Sequence, residues 1–199
     1  MTPGSQLPLR ATSVGVMAVS SSQVPLGTAL PDQTLPDLTG RTYNLPELRG
    51  EGVLVVLFAA NHCPYVRHLE AAVGELAAAF ADKGVQFVAI CSNDASAYPD
   101  DALAGLAEQA DRAGWQFPYL IDEDQFVAKQ FGAVCTPDFF AYDVNGRLGY
   151  RGAFDASTPK NGEAVTGADL RTALELLVAT APVPEPQRPS MGCSIKWRE

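Results

Sequence analysis

The sequence predicts one α/β domain in which helices cover both faces of a central mixed sheet. Residues 53–59 form an uninterrupted apolar run, and residues 85–91 are apolar except for Gln86; such segments are typical of strands that are buried on both faces. Segments with a helical spacing of apolar residues follow each run. The dipeptide Asn145-Gly146 is a strong hairpin signal and predicts an antiparallel pair near the end of the domain. This order of elements favours a three-layer architecture.

The first half of the domain is predicted to begin with a lead-in and then to alternate strands and helices. Within residues 26–50, a turn at residues 37–41 is expected to link two short strands. After the first buried strand, a helix is predicted to begin near Pro64 and to end before Gly84. The apolar residues that define this helix are spaced three or four apart: Val66, Leu69, Val73, Leu76 and Phe80.

The second half is predicted to contain a helix at residues 100–114, a strand at 115–121, a short helix at 125–131, and hairpin strands at 138–142 and 147–152. A last helix is expected to start at Thr166, which fits a capping box with Asp169 as the acceptor, and to continue through Leu177. These elements divide the chain into three parts. Residues 1–25 are expected to be a flexible extension, 26–180 the domain, and 181–199 a proline-rich tail that carries Cys193.

Composition and charge narrow the classes of partner. The chain has 199 residues, of which 47% are apolar, enough for one full hydrophobic core. Its 14 basic and 23 acidic residues give a net charge of −9, so it presents no general positive field to nucleic acid or anionic lipid. The longest apolar run, residues 53–60, is far shorter than the roughly 20 residues of a membrane-spanning helix. We therefore expect a cytoplasmic protein that binds neither nucleic acid nor membrane.

Cys63 is the strongest candidate for chemistry because it stands where a buried strand leads into a helix. A thiol at a helix N-terminus faces unpaired N–H groups and the positive end of the helix dipole, which lowers its pKa. His62, when protonated, would act in the same direction. The alternative is a small buried filler residue. The coincidence of strand, cysteine, proline and helix favours a reactive thiol.

The motifs around this cysteine resemble those of the thioredoxin superfamily. A strand followed by Cys63-Pro-Tyr-Val66 and a helix, with Thr136-Pro137 before a hairpin, carries the resemblance. The segments at residues 61–66, 135–138 and 189–197 are similar to the peroxiredoxin-like, AhpC/TSA-related branch of redoxins. The resemblance covers residues 24–199, and it implies a thioredoxin-like fold with a cis Thr136–Pro137 peptide facing the reactive thiol.

Two departures limit what the resemblance implies. Val66 stands where dithiol oxidoreductases carry the second cysteine of their Cys-x-x-Cys motif, so the thiol that resolves a mixed disulfide must come from elsewhere. Ala60 and Val56 stand where true peroxiredoxins carry a hydroxyl residue and a proline before the reactive cysteine. We therefore expect peroxide reduction, where it occurs, to be slow.

Cys135 and Cys193 are the two candidates for the resolving thiol. A thioredoxin-like fold would place Cys135 beside Cys63, whereas Cys193 lies on a tail that must first be ordered, so Cys135 is favoured for a bond within one chain. A tail of about 12 residues still reaches roughly 40 Å, so Cys193 stays the alternative. Cys91 ends a buried strand and is interpreted as a core residue.

The sequence thus indicates a thiol oxidoreductase that needs no cofactor. Its substrate would be a disulfide, a persulfide or a peroxide. Cys63 would be the nucleophile, with His62, Thr136 and Pro137 around it. A thioredoxin-type dithiol would then return the oxidised protein to its reduced form. A homodimer is compatible with resolution by the Cys193 of a neighbouring chain. Two alternatives remain open: a copper or zinc carrier using Cys63, His62 and Cys135, and a binding module that keeps the fold without the chemistry.

Overall fold

A computed structural model describes residues 18–21 and 24–198 of the chain. The strands are β1 (Ala18–Ser20), β2 (Thr34–Pro36), β3 (Thr42–Asn44), β4 (Val53–Phe58), β5 (Val85–Cys91), β6 (Tyr119–Ile121), β7 (Cys135–Thr136), β8 (Asp138–Tyr142), β9 (Leu148–Gly152) and β10 (Met191–Ser194). The helices are α1 (Leu45–Arg49), α2 (Pro64–Ala81), α3 (Leu103–Ala113), α4 (Phe126–Phe131) and α5 (Ala168–Val178). In the described part of the chain, no helix is long and apolar enough to cross a membrane.

A five-stranded mixed sheet in the order β6-β5-β4-β8-β9 forms the middle layer. β4 and β6 run parallel to β5, while β8 runs antiparallel to β4 and to β9. All six residues of β4 are buried, because it lies in the centre of the sheet and both of its faces are covered. The uninterrupted apolar run therefore predicted a central strand correctly.

Helices cover both faces of this sheet, and each face has its own apolar cluster. Alternate side chains of β4 enter opposite clusters: Val55 packs with residues of α2 and α5, and Val56 packs with residues of α1 and α4. This alternation follows from the pleat of a strand, which points successive side chains to opposite faces. The predicted α/β class with three layers is confirmed.

Three predicted elements have different bounds in the structure. The helix expected from residue 100 begins at Leu103, after a short 3-10 turn at Pro99–Asp101. The strand expected from residue 115 begins at Tyr119, since Trp115 stacks on Phe117 with ring centroids 5.1 Å apart and Pro118 has no N–H to donate. The expected capping box is wrong as well. The N-cap of α5 is Gly167, and its N–H group binds the carboxylate of Asp155 at 2.7 Å instead of a side chain in the helix.

The C-terminal tail is a packed part of the fold, in contrast to the free arm that its prolines suggested. Its strand β10 lies between β1 and β7 in a three-stranded antiparallel sheet. Ile195, which follows β10, is buried in the second apolar cluster. β1 belongs to the segment predicted as a flexible extension; residues 1–17 and 22–23 of that segment lie outside the described residues. The pairing with β7 is the feature that positions Cys193.

Candidate active site

Cys63 occupies the junction between β4 and α2, as the sequence predicted. It is the N-cap residue of α2 and is followed by Pro64 in the first turn, where a missing N–H group costs nothing. Its side chain is fully buried, with 0% exposure. The unpaired N–H groups of the first helical turn therefore face the sulfur in surroundings that exclude water.

Cys193 contacts Cys63 directly, although 130 residues separate them in the sequence. Their Sγ atoms lie 2.8 Å apart, and both cysteines are free thiols. The Cys63 thiol also lies 3.0 Å from the carbonyl oxygen of Thr136. Because a disulfide bond is about 2.05 Å long, the two sulfurs need to approach by less than about 1 Å to form one.

Hydrogen bonds outweigh burial in setting the pKa of Cys63. Burial raises this pKa, because a thiolate is poorly solvated inside the protein. The Cys193 thiol, the Thr136 side chain and the backbone N–H groups of Val66 and Cys193 lower it, and the result is a pKa of about 6. At neutral pH the Cys63 sulfur is therefore mostly thiolate, the form that attacks disulfides.

The other cysteines keep their protons. The hydrogen bond to Cys63 and burial raise the pKa of Cys193, because its proton is shared with the neighbouring thiolate. Burial raises the pKa of Cys135, and so does the charge of the adjacent Asp138. Burial raises the pKa of Cys91 to about 12, which fits the core role predicted for it. Cys63 is thus the cysteine suited to nucleophilic attack.

The structure corrects the preference for Cys135 as the partner of Cys63. Cys193 pairs across the strands with Thr136, whereas Cys135 pairs with Ser194. Successive residues of a strand point to opposite faces, so Cys193 shares the face of Thr136 and of Cys63, and Cys135 points the other way. The expected entropy cost of ordering the tail is met by the sheet pairing, which holds Cys193 in place.

His62 turns toward Asp101, and its imidazole is bound to that carboxylate. Its Nδ1 atom lies 2.6 Å from Oδ2 of Asp101, whose other oxygen accepts the backbone N–H of His62 at 3.0 Å. The Asp101 carboxylate also accepts a hydrogen bond from Asn93 at 2.8 Å. These bonds from His62 and Asn93 overcome the effect of burial and lower the pKa of Asp101. From the sequence, Asp101 is interpreted only as a negative charge at a helix N-terminus, because only the fold brings it to His62.

The loop opposite Cys63 has the geometry that the resemblance implied. The Thr136–Pro137 peptide bond is cis, and the Thr136 carbonyl oxygen lies 3.0 Å from the Cys63 sulfur. Asp138 follows directly and is fully buried, which raises the pKa of its carboxyl to about 8. Of the predicted site residues, Cys63, Cys193, Thr136 and Pro137 therefore lie together, while Cys135 and His62 border them.

The metal alternative receives no support from this geometry. Among the residues that the structure describes, no group of three or more His, Cys, Asp or Glu side chains could hold a metal ion. His62 uses Nδ1 for Asp101, and Cys135 lies on the opposite face of β7 from Cys63.

One feature of the tail that the sequence analysis missed is Gly192. A Cβ atom at this position would collide with the carbonyl group of Thr136. The absence of a side chain thus lets β10 approach the loop closely enough for Cys193 to reach Cys63. In the sequence, a glycine directly before a cysteine in the tail was the signal for this close approach.

Comparisons with known proteins place this site in a family context. The sequence profile of the AhpC/TSA family matches residues 26–151. An uncharacterized conserved protein from Geobacillus kaustophilus has a crystal structure that is 44% identical, with a TM-score of 0.89 over 93% of this chain and 98% of that one.

Two named proteins are more distant. The thiol-disulfide oxidoreductase ResA of Geobacillus thermodenitrificans is 28% identical over 63% of this chain and 67% of its own length. The peroxidoxin BcpB of Mycobacterium tuberculosis is 24% identical, with a TM-score of 0.59 over 79% of this chain and 98% of that one. The structural likeness to BcpB shows the thioredoxin fold, and the match to ResA relates the chain to thiol-dependent redox proteins.

Proposed function

The chain belongs to the AhpC/TSA family, and from its paired thiols we propose that it is a thiol–disulfide oxidoreductase with Cys63 as nucleophile and Cys193 as resolving thiol. The observation that carries this proposal is the 2.8 Å contact between the two sulfurs at the N-terminus of α2. Cys193 supplies from the tail the second thiol that Val66 cannot supply within the motif. The similarity to ResA supports the same class of reaction.

In the first step the Cys63 thiolate attacks one sulfur of a substrate disulfide. A bond forms between Cys63 and that sulfur, and the second substrate sulfur leaves as a thiolate that takes a proton from solvent. A pKa of about 6 makes most of Cys63 reactive at neutral pH. The product of this step is a mixed disulfide between the protein and half of the substrate.

In the second step Cys193 resolves the mixed disulfide. Once Cys63 is covalently bound, it carries no negative charge, so the interaction that raised the pKa of Cys193 is lost. Cys193 then loses its proton and attacks the Cys63 sulfur, and the second half of the substrate leaves as a thiolate. Two protein thiols have become one disulfide, and one substrate disulfide has become two thiols. An external dithiol reverses both exchanges and becomes oxidised in turn.

A disulfide is favoured over a peroxide as the substrate because the site lacks a suitable hydroxyl before the cysteine. Ala60, three residues before Cys63, is buried and has no group that could polarise an O–O bond. We expect a rate constant with hydrogen peroxide well below that of true peroxiredoxins, and stopped-flow measurement of thiol loss checks it. A rate that matches those enzymes would reject this ranking of substrates.

Peptide mapping after mild oxidation tests the pairing of the thiols. With a small disulfide as the oxidant, we expect a Cys63–Cys193 bridge as the main product, and the same bridge in a Cys135→Ser variant. A Cys193→Ser variant should accumulate the mixed disulfide at Cys63, whereas Cys91→Ser, the matched control at a buried cysteine, should behave as the unmodified chain. A Cys63–Cys135 bridge as the main product would reject the assignment of Cys193.

A further inference from the structure

We propose that the C-terminal strap, residues 187–198, covers Cys63 and makes the protein select its reaction partners by size. Small disulfides would reach the thiolate after a slight opening, whereas a protein disulfide would need β10 to separate from β7. This inference deepens the proposed function, since it concerns access to the same thiol. It rests on the burial of the thiols, on the bonds that anchor the strap, and on the sheet edge that the strap occupies.

Neither reactive sulfur is accessible from solvent in this state. The side chains of Cys63 and Cys193 both have 0% exposure. The Cys63 sulfur is in contact with the Cys193 sulfur at 2.8 Å, with the Thr136 carbonyl at 3.0 Å, and with the first turn of α2. A substrate disulfide must place one of its sulfurs against Cys63, in line with its leaving sulfur, and the strap fills that space.

The strap is anchored at both ends, but by different kinds of contact. At the upstream end, Gln187 accepts the N–H of Arg151 at 3.0 Å, and the Ser190 hydroxyl donates to the carbonyl of Gly152. Both of these partners belong to β9, an edge strand of the main sheet. The upstream end is therefore fixed to the main sheet.

The downstream end is held by two backbone hydrogen bonds, from Ile195 N–H to the Val134 carbonyl and from Asp94 N–H to the Lys196 carbonyl, both 2.9 Å long. Ion pairs of the solvent-exposed Arg198 with Asp94 and Glu123, and several side-chain hydrogen bonds, complete it. Gln125 donates to the carbonyl of Lys196 at 2.8 Å and accepts the N–H of Arg198 at 2.8 Å. Asn93 accepts the N–H of Lys196 at 2.8 Å. Ile195 is the buried apolar anchor of this end, while Trp197 is 39% exposed. Local opening of a segment held by few apolar contacts costs less than global unfolding, so we infer that the strap opens from this end.

The edge that the strap covers suits an extended polypeptide. β10 pairs with β7 through its backbone, with Cys193 opposite Thr136. When the strap opens, the backbone groups of β7 become free beside the Cys63 thiolate. An extended segment with a disulfide would pair with this edge by strand addition, as Cys193 does from within the chain. A protein partner thus competes with the strap, and a small disulfide does not.

Two variants loosen the strap without touching the reactive residues. Gln125→Met keeps the length of the side chain and removes its bonds to the carbonyls of Ser92 and Lys196 and to the N–H of Arg198. A truncation that ends the chain at Ile195 removes the last anchors and keeps Cys193. The matched control is Asn44→Ala, which also loses three hydrogen bonds, to Asp32, Thr34 and Glu47, far from the strap.

Labelling at Cys63 by N-ethylmaleimide and by polyethylene glycol maleimide measures access by size with one chemistry, and mass spectrometry identifies the site. The rates at which the same proteins reduce 2-hydroxyethyl disulfide, a small disulfide, and insulin, a protein disulfide, measure access to Cys63 with substrates of two sizes. Because both variants remove hydrogen bonds that keep the strap closed, we expect them to raise the rates with the large reagents about tenfold and those with the small reagents less than about twofold. Asn44→Ala should change neither rate.

An equal increase for large and small reagents, or no increase in either loosened variant, would overturn the strap proposal. Size-selective labelling without reduction of either disulfide would support the strap and reject the oxidoreductase function instead. The two proposals can therefore fail separately.

Discussion

At the scale of the residue, Cys63 shows how a buried thiol can be more acidic than one in water. Burial removes solvent from the thiolate and raises its pKa, while the hydrogen bonds aimed at the sulfur lower it. The groups that lower it belong to residues far apart in the sequence, namely Val66, Thr136 and Cys193. The thiolate is stabilised by an arrangement of the whole site, in which His62, its neighbour in the chain, is bound to Asp101.

The pH dependence of alkylation tests this balance. The rate of carbamidomethylation at Cys63 should rise with pH and level off above a midpoint of about 6, because only the thiolate reacts. A Cys193→Ala variant should move the midpoint upward by about one unit, since it loses the thiol donor. Cys135→Ala should leave it unchanged. A midpoint near the usual thiol pKa of about 8.5 in the unmodified protein would contradict the assigned hydrogen bonds.

At the scale of the element, the approach of β10 to β7 decides whether the two thiols meet. Helix α2 and the loop of Thr136–Pro137 provide one side of the site, and the strap provides the other. β7 has only two residues, so the contact depends on close packing and not on a long ladder of bonds. Gly192 makes this packing possible, because there is no room for a Cβ atom against the Thr136 carbonyl.

A Gly192→Ala substitution should push β10 away from β7. We expect the rate of Cys63–Cys193 disulfide formation to fall about tenfold or more, because displacement of a reacting atom by about 1 Å already carries such a cost. The pKa of Cys63 should rise in the same variant. Gly40→Ala is the control. Gly40 lies in the turn between β2 and β3 and has a positive φ, so the substitution strains the backbone there, but the added Cβ would meet no atom within 4 Å. It therefore tests strain without displacing β10. Disulfide formation at the original rate in Gly192→Ala would show that the strand tolerates the methyl group.

At the scale of the whole molecule, the Cys63–Cys193 pair links the centre of the sheet to the end of the chain. The two residues are 130 positions apart, so their disulfide closes a loop over most of the domain. Such a bond restricts the unfolded chain and stabilises the folded protein, more strongly for longer loops. Oxidation therefore changes stability as well as reactivity.

Urea unfolding measures this effect. We expect the oxidised protein to have a free energy of unfolding roughly 2–4 kcal/mol above that of the reduced protein. The Cys193→Ala variant should show no difference between oxidising and reducing conditions. An oxidised form that is no more stable than the reduced one would mean that the bond is strained in the folded state.

The sequence by itself determined the fold class, the central strands and the position of Cys63 at a helix N-terminus. These features depend on local patterns: an apolar run predicts a buried strand, and a cysteine followed by proline at the start of an apolar periodicity predicts a helix N-terminus. The hairpin at Asn145-Gly146 is equally local, and the pairing of β8 with β9 confirms it. Two local differences from related motifs were also visible in the sequence: Val66 in place of the second cysteine of a Cys-x-x-Cys motif, and Ala60 in place of the hydroxyl residue of true peroxiredoxins.

Only the tertiary structure decided which thiol faces Cys63 and which group holds His62. Cys193 and Asp101 are 130 and 39 residues from their partners, and no local pattern links residues so far apart. The choice of Cys193 over Cys135 depends on the register of β10 against β7, where a shift of one residue would exchange the faces on which the cysteines lie. Strand register is determined by packing over the whole molecule, which is why the sequence left the resolving thiol open.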